Sequence, residues 1–301
     1  MTQDTPDRKS KHQQVSNLSD EERKKLEARI LKKYQDSQAA TRICHSTDLQ
    51  APLSSTQQRL WFLDQLYPGS TQYIQQNAWR IHGPLSKDCL EKSLQAVAER
   101  HHVLSMRVVT KDGIPYQQNE TEKTIHFEIC NLEHMPAGER EEQCSLRINE
   151  AMKTPVDMST GPLSSAQLYR LSENLHILLT RIHHIVTDVW SFNLFKKELS
   201  ACYNAFLKNE TPALTGLPVQ FSDYARYQNS WLRGTQFEKL TAYWKQQLSG
   251  NITPHGITTD LPRPPVQSDQ GAFLQFSFSR TLSEKILATS QQLRVTPFIL
   301  L

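Results

Sequence analysis

The stretch from Leu175 to His183 constrains the fold more than any other part of this 301-residue chain. It is short, apolar and preceded by a Glu173-Asn174 turn, which indicates a buried strand rather than a helix. Apolar residues recur at helical spacing after it, namely Phe192, Phe195, Leu199, Cys202 and Phe206. The sequence therefore predicts a buried strand, a short loop and a helix, in that order.

Two adjacent histidines stand at the end of this predicted strand. Side chains alternate between the two faces of a strand, so His183 and His184 point to opposite sides and cannot share one role. A neutral imidazole in the following loop can accept a proton near neutral pH. From the residues alone, a pair of satisfied core histidines is the more common interpretation of such a dipeptide.

The predicted loop contains Thr187, Asp188 and Val189, and Ser191 is predicted to cap the helix that follows. A carboxylate in such a loop can bond an arginine and hold the backbone in shape, or it can simply lie near the positive end of the helix dipole. No metal site is predicted, because the two histidines cannot chelate one ion from opposite faces and no Cys or His cluster supplies further ligands.

The composition narrows the class of protein. A formal net charge of +3 with scattered basic residues gives no indication of nucleic-acid binding. The five cysteines are odd in number and widely spaced, which predicts neither a disulfide framework nor a Cys-x-x-Cys site. Without a long apolar span in this sequence, no membrane association is predicted and the expected location is the cytoplasm.

Strands alternate with helices from Leu53 onward, which predicts an α/β fold with a mixed sheet. The predicted strands are residues 73–82, 103–109, 116–118, 125–129, 165–171, 175–183 and 273–278. The predicted helices are residues 86–101, 140–152, 221–232 and 237–248, besides the one after Ser191. A Lys111-Asp112-Gly113 turn is expected to join two of the strands as a hairpin.

The histidine segment resembles the HHxxxDG motif of condensation domains from nonribosomal peptide synthetases, which belong to the chloramphenicol acetyltransferase-like superfamily. Five other blocks resemble family motifs in the same order: Ser54–Leu63 (SxAQxRLWFL), Glu99–Ser105 (RHExLR), Pro155–Leu163 (PFDLxxGPL), Ser222–Gln228 (YxDYAxWQ) and Thr259–Pro264 (TDxPRP). Ordered blocks that extend from Ser54 to Pro264 are more specific than any single motif.

The sequence departs from the family pattern at two points of consequence. Val189 stands where HHxxxDG has glycine, and a β-branched residue tolerates positive φ poorly, so the loop conformation or the width of the substrate channel is expected to differ. The family's domain also continues well past the position that matches Leu301. We therefore expect a fragment with a truncated second lobe that is inactive by itself.

The resemblance implies an α/β, chloramphenicol acetyltransferase-like two-layer sandwich with a mixed sheet. In this interpretation, residues 1–50 are an N-terminal tail with a linker or docking helix, which the Ser19 and Glu22 capping box would begin. Residues 51–208 are the N-terminal condensation lobe. Residues 209–301 are the inter-lobe connector and the incomplete start of the C-terminal lobe.

The resemblance also implies a reaction, in which an amide forms between a donor acyl or peptidyl thioester and an acceptor aminoacyl thioester. The implied partners are the donor and acceptor peptidyl carrier proteins, whose phosphopantetheine arms hold the substrates, and the adjacent synthetase modules. No cofactor is bound directly, and neither nucleic acid nor membrane is involved.

His184 is the implied catalytic base, and His183, Asp188 and Arg59 are implied structural residues of the site. Arg59, or an arginine beyond residue 301, is the expected ionic partner of Asp188. Backbone N–H groups near the start of the helix after Ser191 are expected to contribute to an oxyanion site. The implied channel or loop residues are Val189, Trp190 and Ser191.

The aromatic rings of Trp190, Trp61 and Tyr224 are predicted to pack in the core rather than to contact substrate.

Two other functions remain open. The chain is alternatively a noncatalytic, condensation-like module that binds carriers or other partners, or an acyltransferase of the same superfamily that makes an ester.

Overall fold

The computed structural model describes residues 42–122, 124–250, 259–262, 265 and 274–301. The predicted docking helix that begins near Ser19 lies outside the described residues. The chain divides into two compact units at residue 252, and the first unit carries every strand in the described part of the chain.

A four-stranded sheet lies at the centre of the first unit, in the order β2 (Ile74–His82), β7 (Leu175–His183), β6 (Ser164–Ser172) and β5 (His126–Asn131). Strand β7 runs antiparallel to both of its neighbours, whereas β5 runs parallel to β6. The sheet is therefore mixed, as the sequence predicts.

A second sheet contains β1 (Gln50–Pro52), β4 (Ile114–Asn119) and β3 (Met106–Lys111), in that order. Asp112 and Gly113 join β3 to β4 with φ values of 52° and 76°. A type I′ turn requires positive φ at both central residues, and Asp-Gly is one of the pairs that adopt it at low cost. The predicted hairpin at this turn is confirmed.

The helices are α1 (Ser55–Leu66), α2 (Lys87–Arg100), α3 (Ala137–Lys153), α4 (Val189–Leu207), α5 (Phe221–Trp231), α6 (Thr235–Gln247), α7 (Arg280–Leu293) and α8 (Pro297–Leu300). The predicted helices include neither α1 nor α7. For α1 the sequence does hold a signal, because Ser54 and Gln57 form a capping box at its start.

Both faces of β7 are buried, which explains why its sequence is an almost continuous apolar run. Leu178 and Ile182 point into a large core that also contains apolar residues of α1, α2 and α4. Ile177 and Leu179 point the opposite way, into a smaller core that includes Cys144 of α3. The end of β7 is thus fixed from both sides.

The second unit contains α7 and α8 and corrects one prediction. Residues 274–278 form no strand, although the alternation of their side chains suggested one, and residue 273 lies outside the described residues. An isolated extended segment has no hydrogen-bonding neighbour to stabilise it as a strand. The short helix α8 is not buried, since Phe298 is 91% exposed.

Candidate active site

His184 is the first residue after β7, and hydrogen bonds fix both its backbone and its ring. Its N–H donates to the carbonyl of Tyr73 at 2.7 Å, and its Nδ1 lies 3.0 Å from the carbonyl oxygen of Thr187. A carbonyl can only accept, so Nδ1 carries the proton. In the neutral ring, Nε2 then carries the lone pair, which is the atom a base needs.

His183 occupies the opposite environment, as strand alternation predicts. It is 3% exposed, and its Nδ1 accepts the N–H of Ile185 at 3.0 Å. Burial lowers the pKa of His183 to about 4, and the neighbouring His184 acts in the same direction. His183 is therefore neutral at physiological pH, and its ring shapes the turn that follows β7.

Gln57 holds the same turn from α1, and sequence reasoning missed it as a site residue. Its side-chain Nε2 donates to the carbonyl of Ile185 at 3.1 Å, and its Oε1 accepts the N–H of Ser54 at 3.0 Å. The available signal was the Ser54-x-x-Gln57 capping pattern, which marks a helix start but says nothing about the partner of the amide nitrogen.

Asp188, rather than Ser191, is the N-cap of α4, which corrects the predicted cap. The N–H of Ser191 donates to Asp188 Oδ1 at 2.7 Å, and the N–H of Asp188 donates to Ser191 Oγ at 2.7 Å. These bonds, led by the Ser191 N–H, lower the pKa of Asp188. The helix therefore begins earlier than predicted, and Val189 is its first residue instead of a loop residue.

Arg59 lies on the exposed surface of α1, and the described residues show no ion pair between it and Asp188. The carboxylate of Asp188 is instead occupied by the cap of α4. The structure therefore brings His183, His184, Asp188 and Ser191 together but leaves Arg59 apart from them. An arginine beyond residue 301 stays a prediction.

Val189 and Trp190 are exposed at the start of α4, by 71% and 83%. The prediction that Trp190 packs in the core is wrong, because its side chain in the first turn of α4 is exposed. Trp61 does pack against the large core, as predicted, while Tyr224 is partly exposed and lies against Phe221.

The conformational consequence expected for Val189 is also absent. Non-glycine residues with positive φ in the described chain are Asp112, Asn209 and Arg294, so Val189 is not strained. As the first residue of a helix it needs only ordinary helical φ, which valine adopts. The replacement of the motif's glycine by Val189 therefore changes only the surface beside the histidine loop, where the isopropyl group is exposed.

A buried ionic cluster holds the middle of α4. Glu198 accepts from Arg100 Nε at 3.0 Å and lies 2.5 Å from His101 Nε2, so one carboxylate joins α4 to the end of α2. The side chain of Gln220, just before α5, bonds the N–H of His102 and the carbonyl of Arg100. These contacts fix the helix whose first turn borders the site.

Comparison with known proteins identifies the family. A sequence profile of the condensation domain matches residues 48–301. A linear gramicidin synthase polypeptide of Brevibacillus parabrevis is 39% identical over 256 residues, which is 85% of this chain and 5% of that protein. This chain belongs to the condensation-domain family. The family that the sequence motifs suggested is thereby confirmed.

Solved structures share the fold of this condensation domain. The X-domain from teicoplanin biosynthesis matches with a TM-score of 0.70 at 21% identity, covering 85% of this chain and 56% of that one. The starter condensation domain of rhizomide synthetase RzmA matches with a TM-score of 0.62 at 20% identity, covering 69% of this chain and 50% of that one. These likenesses confirm the predicted α/β fold, and the chain spans about half of each solved structure.

The described residues contain neither a cluster of metal ligands nor a membrane-spanning helix. Among them, no three His, Cys, Asp or Glu side chains come together as metal ligands. None of the helices in the described ranges has the length and apolar character needed to span a membrane.

Proposed function

We propose that this condensation domain contributes the base of an amide-forming reaction between two carrier-bound thioesters. The donor would be an acyl or peptidyl thioester and the acceptor an aminoacyl thioester, each on the phosphopantetheine arm of a carrier protein. Peptide-bond formation is the reaction of the family. The observation that supports it here is the Nδ1 of His184 on the Thr187 carbonyl, which directs the lone pair of Nε2 away from the backbone.

In the proposed reaction, the acceptor amine attacks the carbonyl carbon of the donor thioester. Nε2 of His184 takes a proton from the attacking nitrogen as the new C–N bond forms, and the C–S bond then breaks. The leaving thiolate receives a proton, so the net products are an amide and the free donor thiol. The fixed ring also orients the amine, and this contribution adds to proton transfer.

The start of α4 has limited capacity to stabilise the oxyanion of this reaction. The N–H groups of Asp188 and Ser191 are both used inside the capping box. An oxyanion site at this position, as expected from the sequence, could therefore use only those backbone N–H groups that the capping box does not engage. Donors from outside this segment would have to supply the rest.

We also propose that the partners are carrier proteins and adjacent synthetase modules. The proposed reaction needs no directly bound cofactor. The chain spans 5% of the linear gramicidin synthase polypeptide that it matches, so the activity of a complete synthetase is carried over as an inference. Whether the 301 residues are active alone stays a prediction, and the expected result is no amide formation.

The decisive experiment compares His184→Ala with His183→Ala in the full-length protein, with donor and acceptor carriers both loaded. Loss of a general base typically lowers the rate by about 10²- to 10⁴-fold. We expect that loss in single-turnover amide formation for His184→Ala with unchanged melting temperature. His183→Ala should chiefly lower the melting temperature.

His82→Ala is the matched control, because His82 is an exposed histidine at the far end of β2. It should change neither the rate nor the melting temperature. Wild-type amide formation by His184→Ala would reject the assignment of the base.

A noncatalytic carrier-binding module is the second candidate, and Val189 favours it. An exposed isopropyl group where the family motif has glycine narrows the approach to the loop. In that case the wild-type protein would bind loaded carriers without forming an amide, and Val189→Gly would be expected to confer measurable product. An ester product with an alcohol acceptor would indicate the remaining alternative, an ester-forming acyltransferase.

A further inference from the structure

A mostly apolar cleft opens between α2 and α4, beside the second half of β2. It encloses about 390 Å³, and its lining includes Trp79 and Ile81 of β2, Leu178 of β7, Leu90 of α2 and Leu199 of α4. Small-molecule sites are concave, mostly apolar and about 300–1,000 Å³ in volume. We call this feature the α2–α4 cleft. Its volume lies near the lower limit of that range, which favours a small ligand.

The α2–α4 cleft is separate from the histidine loop. The residues of α4 that line it begin at Lys196, which follows Asp188 by eight positions, and neither His183 nor His184 lines it. At 1.5 Å per residue, Lys196 lies about 12 Å along the helix axis from the cap. A ligand in this cleft is therefore not a substrate held beside His184, and the inference does not depend on the proposed amide-forming function.

Two aromatic rings of the cleft are fixed by neighbours. Trp79 stacks on Phe192 with 5.7 Å between the ring centroids and an interplanar angle of 13°. The hydroxyl of Tyr203 accepts the N–H of Ser86 at 2.9 Å. Both rings are only partly buried, and both line the cleft. A ring of a ligand would thus meet aromatic surfaces that are already in position, which lowers the entropic cost of binding.

Lys196 is the charged residue of the cleft, and its ammonium group has no carboxylate beside it. No acidic side chain lines the cleft, and Lys196 is half-buried. Its recorded contact is with the ring of Phe192, 5.5 Å from Nζ to the centroid. Glu198, the acidic residue of α4, is bonded instead to Arg100 and His101. Lysines with buried stems usually pair or reach water, so this one is available to an anion at the cleft.

The charge and the lining together define the chemistry of a ligand. The apolar walls favour an apolar body, and one ammonium group favours one negative charge. A cationic ligand would meet Lys196 with like charge. A doubly charged phosphate would bring a second charge into an apolar cleft that offers it no counter-charge.

We infer that the α2–α4 cleft is a binding site for a small monocarboxylic acid with an aromatic, otherwise apolar body. The carboxylate pairs with Lys196, and the ring lies against Trp79 and Tyr203. The site is distinct from the histidine loop, and its ligand is not a reactant of the proposed amide formation.

The test compares three probes that share one body and differ only in the polar group. They are 4-phenylbutyrate, 4-phenylbutanol and 4-phenylbutylamine, titrated into the full-length protein by calorimetry. For a ligand of this size we expect the carboxylate to bind with a dissociation constant of about 0.1–1 mM. The alcohol should bind about tenfold more weakly, because it lacks the charge-assisted bond, and the ammonium compound should bind most weakly.

Substitutions at Lys196 separate the charge from the apolar stem. Lys196→Met keeps most of the stem against Phe192 and should lower the affinity for 4-phenylbutyrate about tenfold, while leaving the alcohol unaffected. Lys196→Arg keeps the charge and should retain the preference for the carboxylate. Lys197→Met is the matched control, since Lys197 is the next residue of α4 and is exposed outside the cleft. It should bind all three probes as the wild-type protein does.

Ser200→Trp locates the binding. Ser200 lines the cleft from an exposed position on α4, so a large side chain there should block the cleft without disturbing the core. Binding of 4-phenylbutyrate should be lost while the melting temperature without ligand is retained. Wild-type affinity in this variant would mean that the acid binds elsewhere. Equal affinities for the acid and the alcohol, an unchanged affinity in Lys196→Met, or no saturable binding of the acid would each overturn the inference, because Lys196 would then only cover apolar surface.

Discussion

Two groups of side chains, around the end of β7 and along α4, differ in burial and in the kind of contact they make. The exposed edge consists of His184, Asp188, Val189 and Trp190. The buried support consists of Gln57, His183 and Glu198. Side chains of the support bond to groups on other elements or to the turn itself, whereas Asp188, Val189 and Trp190 are exposed and His184 is partly exposed.

This difference suggests that the support residues serve stability, whereas the edge residues serve the proposed reaction. A reactive ring must be reachable, so it gains little from burial, and its position has to be set by neighbours that substrates do not touch. His184 meets both requirements, since its ring is only partly buried while the turn around it is bonded on two sides. Substitutions in the support should therefore cost stability, and substitutions at the edge should cost little.

The largest expected loss of stability within this comparison comes from Glu198→Ala. The change leaves Arg100 without its carboxylate partner in a mostly buried position. Breaking a buried pair in this way costs about 3–5 kcal/mol, and the partial exposure of Arg100 places the expected value near the lower limit. Urea unfolding measures the loss.

Glu99→Ala provides the control, because Glu99 is one residue before Arg100 on α2 and bonds Gln95 at the exposed surface. Its loss should be within about 0.5 kcal/mol of zero. If both variants unfold alike, the middle of α4 is not held by Glu198.

The pH dependence of the unfolding free energy should reveal the lowered pKa of His183. Its folded pKa of about 4 lies below the ordinary value of 6.5, because burial disfavours the charged ring. Between these values the unfolded chain binds a proton that the folded chain does not, so stability falls as the pH falls from about 6.5 to about 4. The contribution is roughly 3 kcal/mol over that interval.

His183→Asn removes this titration while its side-chain oxygen can still accept the N–H of Ile185. The pKa of His176 is also lowered by burial, so the wild-type slope contains both histidines and the difference between the two proteins isolates His183. The substituted protein should lose less stability on acidification. Parallel profiles of unfolding free energy against pH would show that His183 does not titrate as its burial requires.

The smallest expected effect is at the edge itself, in Asp188→Ala. Loss of an N-cap costs about 1 kcal/mol, whereas asparagine caps a helix as well as aspartate does. Asp188→Ala should therefore lower the unfolding free energy by about that amount, and Asp188→Asn should not. An equal loss in both variants would mean that the charge of Asp188 matters more than its cap, which would favour the predicted arginine partner.

The sequence predicted the parts of this fold that depend on local pattern. The apolar run of β7, the Asp-Gly hairpin and the helical spacing after Val189 each carry their own signal, and all three are confirmed. The opposite environments of His183 and His184 follow from strand alternation alone. These features need no knowledge of what lies elsewhere in the chain.

Prediction failed where a side chain had two plausible local roles. Asp188 and Ser191 are both good capping residues, and only the backbone geometry shows that Asp188 caps while Ser191 returns the bond. Trp190 is apolar and lies in the first turn of a core helix, yet its side chain is exposed. Gln57 and Glu198 meet their partners across long stretches of sequence, and no local pattern encodes such contacts.

The bond from Gln57 to Ile185 joins residues that are 128 positions apart. A contact of such separation forms late, because the intervening chain must first be ordered against loop-closure entropy. On the ribosome, α1 emerges long before Ile185, so the turn that holds His184 cannot take its final shape until β7 has been synthesised and docked. The proposed base should therefore reach its final position late in the folding of the first unit.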